Sequence, residues 1–576
     1  MKYRSIVWLM PGLFGLIVWL GSLNKPIYAD EIGVIYAGQS IGIWDPHKYI
    51  LPHPPLYSLL LGVTFRLFGV SVTSARMIGL LSIFLTLALM GSLTSEICNT
   101  LQERTTTGIL AAILYSMNPL ALQGALLLDI DNTILTPLML ILLLAFYKTV
   151  RWNQMQRVVV LGALFGLALW AKLTTPLFFL ASVFLLYLLK GQVRQGLKEA
   201  TGISLVGFVS FAVTFGLYAQ LTAFPLDQLS QTTYKVNEVV APISVMLRRV
   251  VSGSGLVALW ITPPFTLLAI ASIVWWARHC IRDQQCLAKI GLLAIYVVML
   301  SPIYVFIRGA PYGFPKYHVP MLPALCVLVA AFLANSGIGS LGMRKGFLLI
   351  GVLLAVYYLF VVGDPLYLHY TGTGAGRTLW GEPLATRVAK LLLALWLDSI
   401  ASYGDWVMQA ISDVYLQVWA LLLPLVVIGG IVWQWGQLRS PAKVVTLALL
   451  ILTLASSLVT SVLQMRANYA TIYNYGRSGT METVRFVKSH TEPKDLIIAP
   501  AEIMYYTDRS GQTLSLYLRL DEVYAQLQRR EVMMLILASP EGDALAKALQ
   551  QSEGQAILSE LNTHQIGSYW IIWRDR

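Results

Sequence analysis

Two adjacent carboxylates, Asp30 and Glu31, open a long polar stretch that follows the first apolar segment of the chain. The stretch also contains WDPHK at residues 44–48 and PHPPLY at residues 52–57, which includes His53. A carboxylate can accept a proton from a reacting hydroxyl, and a nearby histidine or lysine can stabilise an anionic leaving group. Adjacent carboxylates at a membrane surface are commonly solvated loop residues. Histidines, a lysine and aromatic residues interleaved in one loop favour a reaction site instead.

A second acidic motif, DIDN at residues 129–132, lies between two apolar segments. In the functional interpretation, Asp131 or Asp129 is a second carboxylate that faces a cavity and helps to bind an acceptor. A D-x-D motif also leaves a divalent cation open as a partner, because carboxylate oxygens are good ligands for such ions. The alternative is a helix N-cap, a position that Asp and Asn favour.

Two lysines lie at the ends of apolar segments. Lys172 belongs to WAKLTTP at residues 170–176, and Lys316 belongs to PKYH at residues 315–318. A lysine in such a setting either extends its amine to the membrane surface or binds an anion. An interfacial belt of lysine, tyrosine and histidine is an equally ordinary interpretation of the second motif. Arg76, which follows the first polar stretch, could contact phosphate or hold the fold of the first loop, and the structural role is the one expected.

The elements that must position these residues are membrane-spanning helices. The chain has 576 residues, of which 57% are hydrophobic and 12% are charged, whereas soluble domains have about 25% charged residues. Apolar segments long enough to cross a bilayer recur, which predicts about thirteen spans. They lie near residues 6–20, 75–94, 107–125, 133–149, 158–173, 176–190, 201–222, 257–277, 290–307, 320–335, 346–363, 416–435 and 443–464.

The formal net charge of +12 is spread over short loops and does not form one stripe, so nucleic acid is not an expected partner. Counted from a cytoplasmic N-terminus, every short inside loop is basic, which is the pattern of the positive-inside rule. The basic residues are Lys2, Arg4, Arg104, Lys148, Arg151, Arg157, Lys190, Arg194, Lys198, Arg278, Arg282, Lys289, Arg344, Lys345, Arg439 and Lys443. This orientation places loops 23–74, 223–256 and 364–415 outside the cytoplasm, together with the C-terminal residues.

The C-terminal residues 466–576 are expected to form a small extracytoplasmic α/β domain after a transmembrane region of residues 1–465. Helices are expected at Glu482–His490 and Glu522–Arg530, and strands at Asp495–Ala499, Leu514–Leu518, Val532–Ala538 and Tyr569–Trp573. The four cysteines all precede this domain. The spacing of Cys280 and Cys286 does not fit a zinc site, and no metal ligands are assigned.

The order of the outer motifs carries a resemblance to a known superfamily. An Asp-Glu pair follows the first span, then come HPPLY, Leu67-Phe68-Gly69 and an arginine at the next span. This series resembles the GT-C superfamily of glycosyltransferases, in the branch of the protein O-mannosyltransferases and the lipid A aminoarabinose transferases. The resemblance covers roughly the first 180 residues by motif and the other spans by topology.

The resemblance implies a polyprenyl-phosphate-linked sugar as the donor and a lipid, glycan or protein acceptor outside the cytoplasm, with inversion at the anomeric centre. It assigns the general base to Asp30, with Glu31 orienting the acceptor or supporting the base. The second carboxylate falls on Asp131 more closely than on Asp129. It also implies that the donor phosphate contacts His53, Lys172 and Lys316. No cofactor beyond the lipid-linked donor is required, although a divalent cation stays open.

Two other classes of function fit a protein of this kind. A transporter or flippase of lipid-linked sugars should have ionisable or helix-breaking residues near mid-membrane and an internal repeat, whereas the polar residues here cluster at the outer ends. A scaffold with a degenerate site would not need the intact Asp30. The sequence therefore favours a glycosyltransferase of the cytoplasmic membrane, surrounded by membrane lipids.

Overall fold

A computed structural model of the chain describes residues 29–42, 54–222, 261–280, 282–300, 315–335, 479–509, 511–513, 520–538 and 561–574, with a few more within 16–27 and 446–457. The chain divides into two compact units. One contains the helices between residues 35 and 335, and the other combines Asn24–Val34 with Ala467–Arg576. The predicted spans near 346–363 and 416–435 and the predicted loops 223–256 and 364–415 lie outside the described residues.

Apolar helices make up the described part of the chain up to residue 335. Two of them, Ala29–Gly42 and Leu56–Phe68, lie in the predicted outside loop 23–74, and the others fall on predicted spans. They are α1 (Ala29–Gly42), α2 (Leu56–Phe68), α3 (Val72–Ile97), α4 (Leu101–Ser116), α5 (Pro119–Leu126), α6 (Thr136–Lys148), α7 (Gln154–Ala171), α8 (Thr175–Leu189), α9 (Val193–Thr222), α10 (Pro263–Cys280), α11 (Gln284–Val298) and α12 (Leu322–Asn335). A π-helix (Asp131–Leu135) precedes α6, and a 3₁₀-helix (Pro315–Met321) precedes α12.

The lengths of these helices bear on how many can cross a bilayer. Within the described residues, four are long and apolar enough: Val72–Ile97, Gln154–Ala171, Val193–Thr222 and Tyr317–Asn335. A fifth appears if α4 and α5 are counted as one bent span. Several shorter apolar helices accompany them. The total of about thirteen spans stays a prediction.

Side-chain caps fix the beginnings of α3, α4 and α7. Ser71 accepts a hydrogen bond from the backbone N–H of Ser74 at 3.0 Å, and the Ser74 hydroxyl accepts one from the Ser71 N–H at 3.1 Å. Thr100 and Glu103 form the same reciprocal box at the start of α4, and Asn153 caps α7. Each cap satisfies N–H groups that the first turn of a helix leaves without intrahelical partners. The capping residues in the sequence therefore determine where these helices begin.

The predicted span 107–125 is two helices rather than one. Helix α4 ends at Ser116, and α5 begins at Pro119 with its axis turned by 63°. Pro119 has no N–H to continue the ladder, which makes it suited to a first helical position. Asn118 is buried, and its side-chain oxygen accepts the N–H of Leu120 at 3.0 Å. The prediction of one straight span missed this bend.

Glycines allow α7 and α9 to approach each other closely. A Cβ added at Gly207 would lie 2.3 Å from a ring carbon of Phe165 and 2.9 Å from the Gly162 carbonyl oxygen. One added at Gly166 would lie 2.9 Å from the Gly207 carbonyl oxygen. Small residues at helix contacts let backbones pack directly in a membrane, where the hydrophobic effect between helices is weak. Helix α7, which ends beside Lys172, is therefore tightly fixed to α9.

The described C-terminal residues form a mixed five-stranded sheet in the order β2-β1-β3-β5-β4. The strands are β1 (Leu496–Ala499), β2 (Gly511–Thr513), β3 (Val532–Ala538), β4 (Asn562–Ile566) and β5 (Tyr569–Trp573). Strand β1 pairs in parallel with β2 and β3, and β5 pairs antiparallel with β3 and β4. The helices of this unit are α13 (Thr480–His490), α14 (Ala501–Thr507) and α15 (Leu520–Gln528). The expected strand at Leu514–Leu518 lies outside the described residues.

Helices cover both faces of this sheet, because successive strand residues point to opposite sides. Ile497, Met534 and Ile536 share one buried cluster with residues of α13 and α14. Ile498 and Leu535 share another with residues of α15. The alternation explains why β3 is a continuous apolar run: both of its faces are buried. The unit is thus an α/β sandwich of three layers. The sequence predicts α13, α15, β1, β3 and β5, but it does not predict α14, β2 or β4.

Candidate active site

The carboxylate pair lies in the first turn of α1, which begins at Ala29. Glu31 is buried, with 3% of its surface exposed. The backbone of Asp30 is helical, and its side chain lies outside the described residues. The N-terminal end of a helix carries a partial positive charge that stabilises carboxylates. The pair is therefore placed at a helix start rather than in an irregular loop.

Residues 54–57 of the PHPPLY motif lead into α2. Pro54 and Pro55 are buried, Pro55 precedes the first helical residue, and Tyr57 is fully buried. His53, the predicted phosphate contact, lies outside the described residues. The motif thus contributes to packing through its prolines and tyrosine, and the role of its histidine stays a prediction.

The second acidic motif connects α5 to the π-helix. Asp129 is half-buried, and its carbonyl oxygen accepts a hydrogen bond from the Thr133 hydroxyl at 2.7 Å. The residue at the cap position of the π-helix is Ile130, and no side chain caps it. The functional and the N-cap interpretations of this motif both stay predictions, because the Asp131 side chain lies outside the described residues. Short π-helical segments of this kind are frequent at functional sites.

Helix α3 holds both ends of this acidic segment. The Nε of Arg76 donates to the Leu126 carbonyl oxygen at 3.0 Å, and its Nη1 donates to the Leu23 carbonyl oxygen. Two turns later, the Ser82 hydroxyl donates to the carbonyl oxygen of Thr133. Arg76 is only 2% exposed, so its guanidinium is used inside the protein, as predicted. These bonds hold the Asp129 segment against one rigid helix.

Lys172 is the residue that ends α7, and its backbone N–H donates to the Ala168 carbonyl oxygen at 3.0 Å. Its side chain does not extend into solvent, since only 7% of the residue is exposed. The Nζ lies 4.1 Å from the centroid of the Tyr317 ring. A cation over an aromatic face at this distance is attracted by the ring. The amine is therefore held in place within the protein.

The 3₁₀-helix brings the other basic motif to the same place. It packs against the π-helix of Asp131 and against α5 and α6. Tyr317 is half-buried under Lys172, and His318 is fully buried. The side chain of Lys316 lies outside the described residues, although its backbone belongs to this helix. The structure thus gathers the Asp129–Asp131 segment, Lys172 and the Lys316 segment.

Tyr317 is the contact that sequence reasoning missed. Its neighbours Lys316 and His318 are the residues of this motif that can carry charge. A tyrosine between them is also typical of an interfacial belt. The sequence signal that could have found it was its position beside the candidate Lys316. Among the described residues, no group of three His, Cys, Asp or Glu side chains could hold a metal ion.

Comparisons with known proteins match this chain to one family model and to one solved fold. Residues 52–218 match the family model described as dolichyl-phosphate-mannose-protein mannosyltransferase. The fold is similar to that of ArnT from Cupriavidus metallidurans bound to undecaprenyl phosphate, with a TM-score of 0.54, 14% identity and 97% of each chain covered. The chain has an ArnT-like fold. The apo state of the same ArnT matches with a TM-score of 0.51 and 13% identity, covering 99% of this chain and 98% of that one.

The resemblance to the GT-C branch of protein O-mannosyltransferases and aminoarabinose transferases is thereby confirmed. The residues matched by the family model include Asp129, Asp131 and Lys172, whereas Asp30 and Glu31 precede them. The likeness to ArnT extends over nearly the whole chain. No curated protein matches the chain in sequence.

Proposed function

We propose that this protein is a membrane glycosyltransferase that moves a sugar from a polyprenyl-phosphate carrier to an acceptor on the outer face of the cytoplasmic membrane. The observation that carries the proposal is the buried Lys172 amine over Tyr317, beside the acidic segment of Asp129 and Asp131. Burying an ammonium is costly, so buried cations tend to serve a purpose. A site that holds one beside an acidic segment suits a substrate that brings a phosphate and a hydroxyl together.

The chemistry is a single displacement. The acceptor hydroxyl oxygen forms a bond to the anomeric carbon as the bond between that carbon and the lipid phosphate oxygen breaks. The hydroxyl proton passes to the Asp30 carboxylate, and the phosphate leaves with the bonding electron pair. Attack from the face opposite the phosphate inverts the anomeric centre.

The other residues of the site serve the two substrates. Lys172 and Lys316, with His53, neutralise the phosphate charge that grows as the bond breaks, which lowers the barrier only if the cations are already in place. Glu31 orients the acceptor or supports the base. Asp131, or Asp129 two residues before it, contacts acceptor hydroxyls. All of these roles fall on residues at the predicted outer side of the membrane.

The proposed orientation of the protein in the membrane rests on the basic loops. With the N-terminus in the cytoplasm, the short inside loops are basic, and the C-terminal α/β domain then lies outside. The donor would be used at the outer face, where it is presented by the membrane itself. A deletion strain whose missing glycans are identified by mass spectrometry would show whether the acceptor is a lipid, a glycan or a protein.

The test uses the purified full-length protein in liposomes with radiolabelled undecaprenyl-phosphate hexoses and pentoses. Membranes of the deletion strain serve as the source of acceptor. We expect label to enter acceptor with release of undecaprenyl phosphate, and Asp30→Asn to lower the rate by about 10²- to 10⁴-fold. Asp283→Asn is the matched control, because Asp283 caps α11 through its side-chain oxygen, a role that Asn keeps. Label that crosses the bilayer still attached to lipid, with no glycosidic bond formed, would support a flippase instead.

A further inference from the structure

We propose that Tyr506, in the C-terminal α/β domain, is a positioning residue for the carboxylate pair Asp30–Glu31. Its hydroxyl accepts a hydrogen bond from the backbone N–H of Ile27 at 3.0 Å. Ile27 is fully buried and lies three residues before Asp30. The two bonded residues are 479 positions apart in the chain, and no local sequence signal connects them.

The bond acts on the point where α1 begins. Asn24–Val34 belongs to the same compact unit as Ala467–Arg576, so the backbone segment that carries Asp30 and Glu31 belongs with the C-terminal domain. A buried backbone N–H that lacks a partner is destabilising. The Tyr506 hydroxyl supplies that partner just before the first turn of α1. It therefore determines where the chain enters the helix that carries Asp30 and Glu31.

Tyr506 is itself held firmly by its domain. It lies on α14, and its ring packs against the cluster that contains Ile503, Ile497 and Met534. A tyrosine has few rotatable bonds, so a fixed ring gives a fixed hydroxyl. The domain core thus sets the position of the atom that binds Ile27.

This inference rests on the proposed function and deepens it. If Asp30 is the general base, its distance to the acceptor hydroxyl depends on the C-terminal domain. A displacement of about 1 Å can lower a rate by about 100-fold. The donor phosphate contacts predicted for Lys172 and Lys316 do not involve Tyr506. Loss of the hydroxyl should therefore lower kcat while leaving donor binding unchanged.

The experiment compares Tyr506→Phe with Tyr569→Phe in the full-length protein. Both variants remove one hydroxyl from the same domain. Tyr569 contacts Thr480 at 3.0 Å and Glu502, so its loss should lower the thermal midpoint without altering the Ile27 bond. We expect Tyr506→Phe to lower kcat about 10- to 100-fold with the donor KM unchanged. Tyr569→Phe should keep kcat within about twofold of wild type at temperatures where it is folded.

Hydrogen exchange of a peptide that covers residues 24–34 separates the two proposals. Exchange should accelerate in Tyr506→Phe and stay at the wild-type rate in Tyr569→Phe. Hydrogen exchange at the wild-type rate in Tyr506→Phe would overturn the positioning role. So would a loss of kcat that follows the loss of thermal stability equally in both variants. Wild-type protein that transfers no sugar would overturn the proposed function, and the exchange result would then still decide whether Tyr506 holds Ile27.

Discussion

Lys172 is unusual because it is buried, whereas a lysine at a helix end is usually solvated. Here the side chain lies over the Tyr317 ring and is almost fully buried. A buried ammonium is stabilised best by an anion, and a phosphate supplies one with oxygens on several sides. The aromatic face holds the amine in place. Under the proposed function, this amine is placed to bind the donor phosphate.

Replacing this lysine should weaken binding of the lipid phosphate. Lys172→Met keeps the apolar stem and removes the charge. We expect the Kd for undecaprenyl phosphate to rise about 10- to 100-fold, since hydrogen bonds to charged groups contribute about 1.5–3 kcal/mol. Lys198→Met, at an exposed position of α9, is the matched control and should bind as wild type does. Isothermal titration in detergent gives both values, and equal Kd values for the two variants would contradict the assignment.

Residue types predict this site only in part. The sequence identified Lys172, Asp129 and the carboxylate pair because charged side chains beside apolar segments are costly and therefore conspicuous. It did not identify Tyr317, since a tyrosine at the end of a span is ordinary. The ring becomes significant only when the fold places it under an amine that lies far away in the chain.

At the scale of elements, α7, α8 and α9 are joined by a buried ion pair. Arg157 Nη2 lies 2.9 Å from Glu199 Oε1, with side chains 8% and 3% exposed. The Tyr187 hydroxyl donates to the other oxygen of Glu199 at 2.6 Å. The Arg157 guanidinium also lies over the Phe146 ring at 4.3 Å. The sequence treated Arg157 as a loop charge that sets topology, whereas the fold uses it to connect three helices.

Removing one partner of this pair should be more harmful than removing both. Arg157→Met leaves the Glu199 carboxylate buried without its counter-charge, which typically costs about 3–5 kcal/mol. Arg157→Met with Glu199→Met should recover much of the lost stability, because a buried pair replaced by apolar residues is often neutral. Arg151→Met, at an exposed position, is the control. Thermal unfolding in detergent measures each variant, and a double variant less stable than Arg157→Met would contradict this account.

A glycine contact determines where α5 lies against α3. A Cβ at Gly79 would lie 1.9 Å from the Ala125 carbonyl oxygen, a distance that a backbone atom cannot accommodate without moving. Gly79 lies between Arg76 and Ser82, which bind the two ends of the acidic segment. Any shift of α5 therefore displaces Asp129.

Gly79→Ala should lower both stability and transfer. Overpacking typically costs about 1–3 kcal/mol, more than the gain of up to about 1 kcal/mol that Ala brings to a helix. Gly216→Ala is the control, because a Cβ there meets nothing within 4 Å, so this variant should be as stable as wild type or more stable. Unfolding midpoints and transfer rates measured together would show whether the contact matters. Equal unfolding midpoints and equal transfer rates in the two alanine variants would contradict a role for the Gly79 contact.

Over the whole molecule, periodicity and composition predict the elements but not how they meet. The apolar run Val532–Ala538 predicts a strand, and the structure has that strand as β3, with both of its faces buried. Strand order depends on pairing between distant segments, so β5 between β3 and β4 could not be predicted. The hydrogen bond between Ile27 and Tyr506 could not be predicted either, because the two residues are 479 positions apart in the chain. Local patterns carry no information about such partners.

The orientation of the whole chain is a prediction that labelling can test. Positive loops are retained in the cytoplasm, so Arg104 and Lys198 should lie inside and the exposed Lys494 of the C-terminal domain outside. Single cysteines at these positions, in a background with Cys286→Ser, provide reporters, because the other three native cysteines are buried. A membrane-impermeant maleimide should label Lys494→Cys in intact cells, and the other two only after permeabilisation. Labelling of Arg104→Cys in intact cells would reverse the orientation and place the carboxylates and Lys172 on the cytoplasmic side, where an outer-face transferase could not use them.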